Sequence, residues 1–316
     1  PGGELPSAIW MEKDDSYNHI LKYTSIFGGV QGINILVNLV RSKLVALLLG
    51  PDGMGLVSLF NSTIKMVSDS TSLGIAMSAV RNVSEAYDCH DQQRLDENIG
   101  LVRSWSAIVA LLGVIVCIVM SPLLNTWTFS WGNHTLHFIL LSPVVGLLAV
   151  TGGEMAILKG TRRLRALATI SFFNVVCSLF ISVPLYYIWW EKAIVPSLVL
   201  VALSQCLVTI AYSWRAYRPH NIFQKKYMGR GWDMIRLGIA FTIAGLLGSC
   251  ADFVIRSFIN HNGSLSDLGL FNAGYMLTMV YASMVFSAME TDYFPRLSVV
   301  HDNGKPLSIV VDRQIE

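Results

Sequence analysis

The sequence predicts an all-α integral membrane protein with eight spanning helices. Three observations carry this. Eight apolar stretches, each long enough for the roughly 20 residues a helix needs to cross a bilayer, occupy most of the 316 residues. Charged residues make up 14%, against roughly 25% in a soluble domain, and the mean hydropathy is +0.51. The apolar runs are continuous rather than alternating segments of about ten residues, which excludes a β-barrel.

The predicted spans are 23–49, 56–83, 99–120, 136–158, 166–188, 194–214, 234–258 and 268–289. The first closes at Gly50-Pro51-Asp52-Gly53, a turn signal that separates it from the second. The second and third are joined through Arg94, and the third and fourth through 121–135, which has no Lys or Arg. Lys159, Arg162, Arg163 and Arg165 follow the fourth span, and Trp189-Trp190-Glu191-Lys192 follows the fifth. The sixth leads into the basic linker 215–233, the seventh into 260–267, and the eighth into a loop with Arg296 and Lys305.

Orientation follows from this distribution. Cytoplasmic connections carry an excess of Lys and Arg. Alternate connections here are basic and nearly bare in turn, which puts the N-terminus in the cytoplasm. Trp127, Trp131, Trp189 and Trp190 then fall at the outer interface, and Trp214 and Trp232 at the inner one. No cleavable signal is present: the first span is too long for one, and residues 1–10 read as non-native or upstream sequence before Met11. The domain organisation expected is a cytoplasmic segment 1–19, a six-helix lobe 20–214, the linker 215–233, the first two helices of a second lobe 234–290, and a cytoplasmic loop 291–316.

Composition also excludes functions. There is no P-loop, no HExxH and no nucleophile with a placed histidine, so no enzyme is expected. The five cysteines are scattered without metal-ligand spacing, and the seven histidines form no ligand cluster. No metal, no cofactor and no nucleic-acid partner is expected.

What remains is polar chemistry inside the spans. Gln31, Asn34, Asn38 and Arg41 recur at spacings of three, four and three, one stripe of the first helix. A charge in hydrocarbon is costly, so such a stripe predicts a protein interior or a water-filled cavity. The second span offers Asn61, Lys65, Asp69 and Ser72 on one face, with Lys65 and Asp69 placed to pair at i,i+4. The seventh offers Ser249, Asp252 and Arg256, and the fifth Ser171, Asn174 and Ser178. Glu154 reads as lying near the inner interface. Arg41 and Arg256 are also close enough to the outer interface to snorkel to it. Guanidinium and ammonium groups suit a diphosphate, and amides suit sugar hydroxyls. An amphiphile with an anionic head and a sugar-like part is the substrate expected.

The chain also repeats itself. Arg41-Ser42 is followed by Gly55-Leu56, and Arg256-Ser257 by Gly269-Leu270. Both copies end an outward helix and re-enter after a glycine-containing loop, six helices apart in the same orientation. Parallel repeats of this kind are a transporter architecture. A six-helix period implies at least twelve helices, so the sequence reads as one lobe with a truncated second lobe.

Four segments in order resemble a known family. They are Val40-Arg41-Ser42-Lys43 through Gly50-Pro51-Asp52-Gly53-Met54-Gly55, then Leu158-Lys159-Gly160-Thr161-Arg162, then Phe253-Val254-Ile255-Arg256 with Asp267-Leu268-Gly269-Leu270-Phe271-Asn272, and Tyr293-Phe294-Pro295-Arg296. Over residues 20–305 the chain resembles the Wzx-type polysaccharide flippases of the MOP exporter superfamily. The resemblance implies a two-lobed MOP/MATE-like fold in the bacterial inner membrane. It implies flipping of an undecaprenyl-diphosphate-linked oligosaccharide, an O-antigen-like unit, with Arg41, Lys65 and Arg256 on the diphosphate. Membrane lipids and a polysaccharide polymerase are the further partners implied. Asp69 is the candidate for ion coupling, because no nucleotide site supplies energy. A MATE-like drug or cation antiporter, a lipid II flippase relative and a non-transporting membrane fragment are the alternatives.

Overall fold

The computed structural model describes residues 8–89, 91–129, 132–218, 225–279 and 282, with side chains from residue 32 onward except at 225–237, 240 and 241. Gln31, Trp131, Trp232 and the segment 291–316 therefore lie outside the described side chains. Two compact units are present, Pro1–Gly269 and Leu270–Glu316. The first contains α1 (Ala8–Thr71), α2 (Ile75–Asp88), α3 (Gln92–Thr128), α4 (Thr135–Gly160), α5 (Leu164–Trp189), α6 (Ile194–Ala216) and α7 (Lys225–Asn262). A further helix, α8, begins at residue 265. In the second unit the described residues are helical over 270–279 and at 282.

Five stretches of the described residues are long and apolar enough to cross a membrane: Gly32–Thr71, Gln92–Thr128, Thr135–Gly160, Leu164–Ala216 and Thr242–Asn262. That is fewer than the eight spans expected. Two of the five, at 40 and 53 residues, exceed the length of one crossing and contain a break. In the first, Gly50 adopts φ 66 and ψ −174, a conformation open only to glycine at low cost, and Pro51 starts the next helical turn. In the second, Trp190 at φ 51 opens a 3-10 turn, Trp190–Ala193, between α5 and α6. The eighth expected span, 268–289, is described only to residue 279 and at 282.

The second expected span, 56–83, is not one helix. α1 stops at Thr71, and Leu73 (φ 50) and Gly74 (φ 63) follow in the left-handed region. Two such residues in succession cannot continue a right-handed helix. The turn is held against α7, where a Cβ on Gly74 would overlap the carbonyl of Gly238. Within the linker expected over 215–233, α7 starts at Lys225.

Gly74→Ala tests the break. It combines a left-handed alanine with a backbone overlap, and should cost more than the 1–2 kcal/mol of the conformation alone. Gly152→Ala is the control, since its Cβ would meet only Ala76 Cβ at 3.9 Å. Thermal midpoints in detergent should fall for the first and hold for the second; equal midpoints would mean that the turn is free to rearrange.

Helix association in a membrane depends on close packing of small residues, and α3 and α4 show it. A Cβ on Gly113 would sit 2.8 Å from Val145 Cγ1, one on Gly146 would sit 2.9 Å from Val114 Cγ2, and one on Gly153 would overlap the Ser106 hydroxyl. The largest core lies toward the predicted outer side, where Phe60, Phe129 and Phe138 form tilted and edge-on ring contacts. A second core joins α2, α3 and α4 through Ala79, Val83, Val102 and Ile157.

The sequence repeat has a geometric counterpart. A Cβ on Gly55 would overlap the carbonyl of Leu265, and one on Gly269 would overlap the carbonyl of Pro51. Each glycine thus meets the residue four before the other. That reciprocity is the signature of a two-fold relation between like surfaces, and it explains why both copies keep a glycine there.

Candidate functional site

A cavity of about 510 Å³ opens where the α1–α2 break meets α3, α4 and α7. Its polar groups are Asp69 and the hydroxyls of Ser68, Ser72, Ser106 and Thr242; Ile75, Met77, Val109 and Leu148 supply apolar wall. Among the described residues, no lysine or arginine lines it. The helix break creates this composition. It ends α1 just after Asp69, and it brings the chain onto α7 one turn from Thr242.

The predicted site residues divide among several surroundings. Arg41 is half-buried, and its Nε donates to Ser182 Oγ of α5 at 3.1 Å. No carboxylate pairs with it among the described residues. Arg256 is buried. Its Nε donates to Ser58 Oγ of α1 at 2.7 Å, and its Nη1 pairs with Asp252 one turn earlier, as the spacing predicts. Lys65 is exposed and the expected Lys65–Asp69 pair does not form among the described residues. Four residues advance a helix by about 400°, and the resulting offset leaves Lys65 on the outer face while Asp69 lines the cavity. None of Arg41, Lys65 and Arg256 lines that cavity.

The stripe on the first helix is not of one environment either. Asn34 is buried, Asn38 is exposed and Arg41 lies between. Asn61 is exposed. Asn34, and Asn174 on α5, each bury a carboxamide oxygen that has no hydrogen-bond partner among the described residues. A buried orphan acceptor is costly, so these two are sites where a water or a polar ligand would be stabilised.

Glu154 is buried among the helices, only 4% exposed. Its carboxylate accepts from Arg103 Nε at 2.9 Å and Arg103 Nη2 at 3.2 Å, from Ser213 Oγ at 2.5 Å and from Trp214 Nε1 at 3.1 Å. Arg103 Nη2 also donates to the Tyr217 carbonyl at 3.0 Å. The network ties α3, α4 and the end of α6 together. Arg103 was not singled out from the sequence, although a signal was present. Arg103 and Glu154 each lie four residues inside an adjacent end of consecutive predicted spans, hence at equal depth.

The family described as Polysaccharide biosynthesis protein matches residues 20–301. No curated protein sequence matches significantly. Among solved structures, the chain is similar to an inward-facing multidrug resistance MATE family transporter of the MOP superfamily, with TM-score 0.60 and 16% identity over 78% of this chain and 58% of that one. It is also similar to the MATE multidrug transporter DinF-BH, with TM-score 0.63 and 13% identity over 81% of this chain and 60% of that one. These likenesses show the fold. The chain spans about three fifths of the length of the solved transporters it matches.

Proposed function

Because the chain belongs to the polysaccharide biosynthesis protein family, we propose that it is a flippase. In this reading it carries a polyprenyl-diphosphate-linked oligosaccharide, an O-antigen-like unit, from the inner to the outer leaflet of the bacterial inner membrane by alternating access. The N-terminus is cytoplasmic, and a polysaccharide polymerase uses the product.

The observation that carries the reading is Arg41. A half-buried guanidinium in a spanning helix, with one N–H on Ser182 and no carboxylate partner among the described residues, has donors to spare for a phosphate oxygen. Arg256 is the secondary contact, because Asp252 already neutralises it. Lys65 presents its ammonium on the exposed face. The orphan amides Asn34 and Asn174 suit the sugar hydroxyls.

The second reading is a drug or cation antiporter. It is favoured by the cavity, which combines one carboxylate with apolar walls. Expression of the intact gene in a strain lacking its polysaccharide flippase separates the two. Restored surface polysaccharide is the expected result. Normal membrane abundance without restoration, together with active efflux of a cationic dye, would replace the flippase reading with the antiporter.

A further inference from the structure

The geometry points to a binding site for a monovalent cation in the cavity at the α1–α2 break, with the Asp69 carboxylate as its charged ligand and the hydroxyls of Ser72, Ser106 and Thr242 around it. Four observations lead there. First, among the described residues Asp69 forms no ion pair and no lysine or arginine lines the cavity. A carboxylate among apolar walls needs a compensating charge. One cation balances one carboxylate, whereas a divalent ion would call for a richer set of acidic ligands.

Second, the hydroxyls are set up to accept rather than donate. Ser72 Oγ spends its proton on the Asp69 carbonyl at 3.0 Å, and Thr242 Oγ1 spends its proton on the Gly238 carbonyl at 3.0 Å. Each oxygen keeps its lone pairs, which is the state a cation ligand requires.

Third, Ser106 is 5% exposed, and its hydroxyl has no hydrogen-bond partner among the described residues. It lines the same cavity, pressed into the α3–α4 contact beneath Gly153. A buried orphan hydroxyl is costly unless something bonds it. Fourth, α1 ends at Thr71; of its last-turn carbonyls those of Ser68 and Asp69 accept from the Thr71 and Ser72 hydroxyls, and the carbonyls of Ser70 and Thr71 lie beyond the reach of the helix ladder. Unwound backbone of this kind is where broken membrane helices coordinate cations. At about 510 Å³ the cavity also has room for several waters, so the ion keeps part of its hydration shell.

Occupancy would join the broken α1–α2 segment to α3 and to α7. Use of the ion to drive transport rests on the flippase reading; its binding does not. The test is equilibrium binding of radiolabelled sodium to the purified intact protein in detergent, at fixed pH, with transport left out of the assay. Saturable sodium binding is expected, lost in Asp69→Asn and weakened several-fold in Ser106→Ala and in Thr242→Val. Glu85→Gln removes an exposed carboxylate and should leave binding unchanged. A monodisperse gel-filtration peak for each variant checks folding, and the two hydroxyl variants keep the test open should Asp69→Asn misfold. Absence of saturable sodium binding, or equal binding by the parent and all three cavity variants, would overturn the site. Failure of the complementation experiment would leave this result untouched.

Discussion

Glu154→Ala should lower the stability of the folded chain by about 3–5 kcal/mol, the cost of removing one partner from a buried ion pair. The size comes from what is left behind. Arg103, 7% exposed, keeps its charge and loses both carboxylate contacts, and Ser213 and Trp214 lose their acceptor. Arg103→Ala should cost a similar amount from the other side. Replacing both at once, Arg103→Met with Glu154→Leu, should recover much of the loss, because no uncompensated charge then remains. Thermal midpoints in detergent for the two single variants and the double variant supply the coupling. Additive losses would show that the two side chains do not act as a pair.

On the proposed flippase reading, Arg41→Ala should abolish export of the lipid-linked saccharide in the intact protein while leaving its membrane abundance near normal. Arg41→Lys should keep part of the activity, since an ammonium retains the charge and loses the fork that grips two phosphate oxygens. Arg256→Ala is expected to behave differently. It strands Asp252 and removes the Arg256–Ser58 hydrogen bond, so its abundance should fall along with transport. Surface polysaccharide in a flippase-deficient strain, normalised to protein in the membrane, checks all three. Normal export by Arg41→Ala would reduce Arg41 to an anchor against Ser182.

The candidate site was legible only in part. Asp252 and Arg256 pair as their spacing predicts, because an i,i+4 contact is local to one helix. The same rule applied to Lys65 and Asp69 gives the wrong answer. There the neighbours decide: α3, α4 and α7 enclose a cavity on the Asp69 side and leave the Lys65 side open. The Arg103–Glu154 pair joins residues 51 apart in the chain. Only the equal depth of its two members in adjacent spans hinted at it.

The sequence by itself determined the membrane class, the helical content and the repeat. Hydropathy is a sum over neighbouring residues, and a bilayer forces any long apolar run to satisfy its backbone within a helix. The repeat was readable because Gly55 and Gly269 must each lack a Cβ where the two copies touch. The tertiary structure alone decided where the second span breaks, which carboxylate is paired and which lines a cavity. Leu73 at φ 50 carries no local signal for a left-handed turn. It is held there because Gly74 and Gly238 bring two backbones together, and that contact exists only once α7 has packed against the end of α1.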